Sequence, residues 1–211
     1  MAFQKPPTIS DDKRAQEIYR RAAKVIYDRG FDATSMGDIA RAVDLTKGGL
    51  YYYIKGKKAL LFAIMSFALD LLDEQVIEPA LAIDDPEARL RRLLAGQMRL
   101  VMNEPSPMTI LVYEEEGLDE NHRAKIEERK SAHSQLLEDT IADVLAGRPQ
   151  HLNADPKIAT YSILGMIHWL VRWYQDEENV EQDEVVEQLL RFVLHGLSSK
   201  PLQSGSDDSL A

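Results

Sequence analysis

A chain of 211 residues, 45% of them apolar, is long enough to bury a core and fits one or two compact domains, so disorder throughout is excluded. It holds no cysteine, which excludes a disulfide framework or a thiolate metal site and makes a reducing cytoplasm the expected location. The net charge of −10 argues at first against a nucleic-acid partner, but residues 1–58 carry 12 Lys and Arg against 7 Asp and Glu, leaving 13 against 28 beyond. A small anion-binding head on an acidic body is the expectation; chance clustering is the alternative.

In chain order, Met1 to Ser10 has Pro6 and Pro7 and no apolar signal-peptide core, and reads as a flexible arm over residues 1–10. Ala15, Ile18, Ala22, Val25 and Ile26 form a helical stripe that Gly30 can end in a left-handed cap. Ser35 and Asp38 are spaced as a capping box opening a short helix to about Ala42, and Thr46 can cap another to about Ile54. Only Val43, Asp44 and Leu45 lie between, the spacing of a helix-turn-helix. From Lys57 an amphipathic helix with Leu61, Ile64, Met65, Ala68 and Leu72 runs to near Pro79. Further helices are predicted over Pro86 to Asn103, Met108 to Glu116, Asn121 to Ala146, Pro156 to Gln175 and Asp183 to Leu197, punctuated by Pro105, Pro107, Gly117, Gly147 and Pro149. The polar stretch 198–211 reads as a disordered tail. The fold class is therefore all-α with about nine helices: a three-helix, helix-turn-helix head over 11–58 and a larger helical body over 59–197. The longest nearly apolar stretch, Ile163 to Val171, contains His168 and falls far short of the ~20 residues that span a bilayer, so no membrane partner is expected.

The stretch from Thr46 to Lys57 carries the most chemistry. Leu50 and Ile54, four apart, can pack inward against Ile39 and Val43. Gly48 and Gly49 together in a first helical turn cost about 1 kcal/mol each against alanine, and are explained by close approach of a partner backbone. Lys47 can reach a base edge or phosphate, tyrosine hydroxyls can donate to phosphate, and Lys55 and Lys57 can bracket the strand. A helix turns about 100° per residue, so Tyr51, Tyr52 and Tyr53 cannot all face one core and at least one hydroxyl points outward.

Thr34-Ser35-Met36-Gly37-Asp38-Ile39-Ala40, followed by Lys47-Gly48-Gly49-Leu50-Tyr51-Tyr52-Tyr53-Ile54-Lys55-Gly56-Lys57 and Leu60-Leu61, strongly resembles the N-terminal domain of the TetR family of bacterial transcriptional regulators, over roughly residues 12–62. The resemblance implies an all-helical homodimer that binds a palindromic double-stranded operator and releases it when a small molecule enters the C-terminal domain, repression being the commoner outcome. By position it places Ser35, Met36 and Gly37 near the backbone and groove, Thr46, Lys47, Gly48, Gly49 and Tyr51 at bases, and Tyr52, Tyr53 and Lys57 near phosphates. Asp44 stands where the family's turn often has glycine; aspartate tolerates the left-handed region better than most residues, so the turn is expected to survive.

Tyr161 to Tyr174 is apolar on almost every side, and a helix of that kind is central or half-buried by another subunit. The family resemblance favours a four-helix interface of Tyr161, Leu164, His168, Trp169, Arg172, Val186, Leu189, Leu190, Val193 and Leu197 with their symmetry mates, and half-sites about one DNA turn, ~34 Å, or somewhat more apart. Met65, Met98, Met102, Met108 and Met166 are either core filling or, beside Leu69, Leu72, Leu111, Val112, Tyr113, His133, Leu137, Ile167 and Leu170, the lining of a large apolar cavity for a long or polycyclic effector. Asp119-Glu120-Asn121-His122, Trp173-Tyr174 and Leu194-His195-Gly196-Leu197 look similar to regulators of lipid, steroid or aromatic-acid catabolism that respond to acyl-CoA thioesters. In that reading Arg91, Arg92, Arg99 and Arg123 could meet the CoA phosphates; a multidrug-type regulator of efflux is the rival.

An enzyme or a plain helical scaffold is the alternative of another class. Asp119, Lys130, Arg148, Gly165 and Phe192 stand three before the five histidines, so no Glu-x-x-His metal pair exists, and nucleophile-elbow, Walker and dinucleotide motifs are absent. No cofactor, metal or catalytic residue is expected, and a scaffold leaves the glycine, lysine and tyrosine cluster unexplained.

Overall fold

Ser35, Thr46, Asp85, Asp119 and Asp155 each accept a backbone N–H from the first turn that follows, and a helix begins after each of them. The computed structural model describes residues 13–147, 154–174 and 180–197; the expected arm 1–10 and tail 198–211 lie outside the described residues. The helices are α1 (Lys13–Arg29), α2 (Met36–Ala42), α3 (Lys47–Tyr53), α4 (Lys57–Leu72), α5 (Pro86–Asn103), α6 (Pro105–Tyr113), α7 (Glu120–Ala146), α8 (Pro156–Trp173) and α9 (Gln182–Gly196). The rod of α4 continues through a π-helical segment, Asp73–Ile77, into a last turn, Glu78–Leu81. Among the described residues there is no strand.

Gly30 ends α1 with φ +83, as its position predicts. Ser35 and Asp38 form the full capping box, each side chain accepting the other's backbone N–H. Two elements differ from expectation. The sixth helix starts at Pro105 rather than Met108, because proline at N1 lacks only an N–H that the first turn cannot use. The fourth helix, expected to be amphipathic, is buried on nearly every side, because α1, α6 and α7 all pack on it. It is the strut between head and body. Around it α5 packs on α7, α8 and α9, while α7 packs on α8, enclosing one continuous apolar core.

Candidate nucleic-acid interface and effector cavity

Thr46 starts α3 by accepting the Gly49 N–H at 3.0 Å. Leu50 and Ile54 fix its inner face, buried with Ile39 and Val43. Helical geometry then leaves Lys47 and all three tyrosines outside, Tyr52 with 87% of its surface exposed and its ring edge-on to Tyr53 at 5.4 Å. Among the described residues, nothing beyond the helix's own neighbouring backbone lies within 4 Å of where a Cβ on Gly48 would sit, so packing among them does not explain that glycine. At Gly49 the same Cβ would stand 3.2 Å from the Thr46 hydroxyl, a reason internal to the cap.

Between α2 and α3, Asp44 adopts φ +56, the left-handed conformation that the turn requires. Its carboxylate receives the Arg21 guanidinium of α1 at 2.7 Å, and Leu45 N–H donates to Ala40 C=O at 2.9 Å. The turn survives the replacement of glycine because the short acidic side chain finds a partner on α1.

Three residues expected at DNA are employed differently. Met36 is buried in the head's core, since the capping box turns the first residue of α2 inward. The Ser35 hydroxyl accepts the Asp38 N–H and hydrogen-bonds the Asp38 carboxylate, which leaves it no proton for a phosphate. Lys57 donates to the Asp32 carbonyl at 3.2 Å and stands 4.3 Å over the Phe31 ring, tying down the loop before α2. Gly37, between these groups, is half-buried with the Ser35 hydroxyl 3.6 Å from its would-be Cβ.

The body holds a partly open cavity of about 70 Å³. Its floor is apolar, built by Leu69, Leu72 and Ile77 from α4 and its continuation, Leu93 from α5, and Met108, Leu111 and Val112 from α6. Its opposite wall is polar: Lys130, His133 and Ser134, with Leu137, from α7, and His168, with Leu164, from α8, Gln97 closing one side. Burial, helped by the Lys130 charge, pushes the His168 imidazole below its ordinary value, so it stands neutral at pH 7. Lys130 and Ser134 also line an open outer groove with Glu115, Glu127, Ser131, Gln135, Glu138, Lys157 and Tyr161.

Leu69, Leu72, Met108, Leu111, Val112, His133 and Leu137 line this cavity together. Met65, Met98, Met102, Ile167 and Leu170 are core instead, and half-buried Met166 packs against that core rather than lining the cavity. These methionine and aliphatic side chains pack into the continuous core between the helices. Tyr113 is exposed, on a separate groove with Tyr27 and Arg172. Ile77, Leu93, Gln97, Lys130 and Ser134 were missed; the repeat of 130, 133, 134 and 137 along one face of α7 was visible, hidden by its polar members.

Leu164 and His168, assigned to a dimer face, turn inward to the cavity. Val186, Leu190, Val193 and Leu197 are buried within the subunit, on a helix that packs against α5, and Leu189 is half-buried. The apolar surface left outside consists of Tyr161 and Trp169 with Ile158 on α8, beside exposed Arg172, and Phe192 on α9. The four arginines assigned to phosphates are engaged in the chain. Arg91 pairs with Glu87, Arg92 donates to the Gln75 carbonyl, Arg99 bridges to Asp183 on α9, and Arg123 donates to carbonyls of residues 115, 116 and 118. Among the described residues no group of three or more His, Asp or Glu is placed to hold a metal ion, and no helix is long and apolar enough to cross a membrane.

Residues 18–64 match the family described as bacterial regulatory proteins, tetR family, and residues 84–197 match the one described as tetracyclin repressor-like, C-terminal domain. The transcriptional repressor KstR2 of Rhodococcus jostii (strain RHA1) is 27% identical over 200 residues, covering 92% of this chain and 98% of that protein. The transcriptional activator FasR of Mycolicibacterium smegmatis is 23% identical over 193 residues, covering 90% and 86%. The crystal structure of AibR in complex with isovaleryl coenzyme A and operator DNA superposes with a TM-score of 0.77 at 32% identity, covering 85% of this chain and 97% of that one. An exposed helix of lysine, glycine and tyrosine, a strut from it into a helical body, and matches across both halves agree: the chain belongs to the TetR family of transcriptional regulators, and its business is gene regulation rather than catalysis.

Proposed function

We propose that the chain is a ligand-responsive repressor that binds a palindromic operator as a homodimer and leaves it when an acyl-CoA thioester enters the body. The observation that carries the DNA half is the outer face of α3. Lys47 and Tyr51 stand exposed on it beside Gly48, which packing among the described residues does not require to be glycine. Thr46, Gly49, Tyr52 and Tyr53 complete that face; Ser35 and Lys57 hold it in place from behind. Tyr161, Trp169 and Phe192 supply the apolar surface for the second subunit, which sets two α3 helices half-sites apart.

For the effector, an apolar floor facing a neutral imidazole, a hydroxyl and an ammonium suits an acyl group carrying a carbonyl. A short or branched acyl group is in keeping with the isovaleryl coenzyme A of the AibR complex. The remainder of the thioester would leave past Lys130 and Ser134 into the outer groove.

The test is fluorescence anisotropy of a labelled fragment from upstream of the protein's own gene, challenged with acyl-CoAs of increasing length. Palindrome-dependent binding reversed by short-chain thioesters is the expected result. Reversal only by cationic drugs would transfer the chain to an efflux role, and no binding to any DNA selected from a random pool would remove the operator reading.

A further inference from the structure

The short 3₁₀ turn Glu115–Gly117 lies between cavity and head and touches both. On the cavity side, Lys130 Nζ hydrogen-bonds the Glu115 carboxylate and donates to the Leu111 carbonyl at 3.4 Å. Arg123 secures the same turn through the Glu115 and Leu118 carbonyls, both at 3.3 Å. On the head side the turn is pressed against Phe31: a Cβ on Gly117 would stand 2.7 Å from the Phe31 ring and 2.7 Å from Leu61. Glu114 also accepts the Phe31 backbone N–H. Phe31 is buried, covered by Lys57 of α4, and lies five residues before α2 begins. A chain of contacts therefore leads from a cavity-lining ammonium to the segment that seats the helix-turn-helix.

We infer that Lys130 is where the effector is read: an oxygen acceptor on an apolar effector group takes its ammonium from Glu115, frees the Glu115–Gly117 turn, and unseats Phe31 and with it α2 and α3. The inference rests on the ligand-responsive reading above. Lys130 is part-buried, and its charge needs an acidic or carbonyl partner in either state. Both partners also face the open outer groove, where water can take over the Glu115 carboxylate once the ammonium turns to the effector. The effector's oxygen competes with Glu115 for the ammonium; the released state is favoured to the extent that the two exclude each other, and the operator must weaken effector binding by the same factor.

Glu115→Gln, made in the full-length protein, removes the charge that holds the clamp without replacing a cavity-lining or α3 residue. With no effector present it is expected to lower operator affinity about tenfold, the equivalent of one charge-assisted contact, and to speed amide hydrogen exchange in residues 30–36. Gly117→Ala, which drives a methyl against Phe31 while leaving the Lys130–Glu115 pair in place, is expected to do the same. Wild-type operator affinity and wild-type exchange at 30–36 in both variants would overturn the inference. Neither readout needs a ligand, so failure of isovaleryl-CoA to act on the unmodified protein would sink the acyl-CoA reading alone. Lys130→Met adds the ligand arm: it is expected to lose the response to isovaleryl-CoA as well, and a full response would count against Lys130 as the reader.

Discussion

The Arg129 guanidinium of α7 lies 2.6 Å from the carboxylate of Asp73, which has 1% of its surface exposed at the π-helical segment that continues α4. His133 Nε2 meets the other oxygen of that carboxylate at 2.6 Å, and Arg129 also reaches Asp70 at 2.9 Å. This network pins the strut to α7 directly behind the cavity. Removing one partner of a buried pair leaves the other uncompensated, so Asp73→Ala is expected to cost about 3 kcal/mol in chemical denaturation at neutral pH.

The pH dependence of the same site has a definite sign. Burial pushes the Asp73 carboxyl up, but its hydrogen bonds and charge contacts with His133 and Arg129 outweigh that and hold it below its ordinary value. A carboxyl lowered on folding stabilises the fold above its unfolded value, near pH 4, and this is lost as the pH falls through the folded value. Asp70 is raised, mainly by burial, with Arg129 acting against it. Its contribution is present below the unfolded value and is lost as the pH rises through the folded one. Denaturation midpoints between pH 3 and 7 should therefore fall toward acid in the native protein and flatten in Asp73→Asn, whereas Asp70→Asn should change neutral-pH stability by less than about 1 kcal/mol.

Lys47→Ala and Tyr51→Ala should each weaken operator binding about tenfold or more, with circular dichroism and sedimentation unchanged. If Lys47 meets a phosphate, the salt dependence of binding should also become shallower by about one charge in its alanine variant. Native affinity in both variants would remove α3 from the interface.

Asp44 holds a left-handed backbone and an exposed ion pair with Arg21. Asp44→Val is expected to lower stability by about 1–2 kcal/mol, because a β-branched residue fits that conformation poorly, while Asp44→Gly should stay within about 1 kcal/mol. A thermal melt of the pair decides it: equal losses would mean that the ion pair, not the backbone, matters.

Trp169 is 58% and Phe192 67% exposed in the subunit. If the proposed dimer face is correct, Trp169→Glu and Phe192→Glu are each expected to shift sedimentation from dimer toward monomer and to weaken operator binding, since a carboxylate replaces apolar contact surface there. A variant pair that sediments as the native protein does would move the interface elsewhere.

The helix-turn-helix was legible in the sequence down to single hydrogen bonds. Ser35 with Asp38, Thr46 with Gly49, and the left-handed Asp44 all act within a few residues, so spacing alone specifies them. Helical geometry required at least one outward tyrosine; the structure leaves all three exposed. Where prediction went astray within this segment, as with Met36 and Lys57, the side chain answers to Phe31, Asp32 or the head's core, partners distant in the chain.

The body was legible as helices and not as a site. An apolar stripe states that a face will be buried but not by what: Val186, Leu190 and Val193 are covered within their own subunit, Leu164 and His168 face the cavity, and Phe192 is left outside. Met65, Met98 and Met102, which looked like pocket lining, are core, while Met108 does line the cavity. The Asp73, Arg129 and His133 network and the clamp from Lys130 to the Glu115 turn join residues 15 to 60 positions apart. The sequence by itself determined the fold class, the caps and the chemistry of the recognition helix, because backbone hydrogen bonding and helical period are local. Only the tertiary structure decided which side chains share the cavity and which polar groups join it to the head, because those depend on how whole helices cross, and many crossings satisfy the same periodicity.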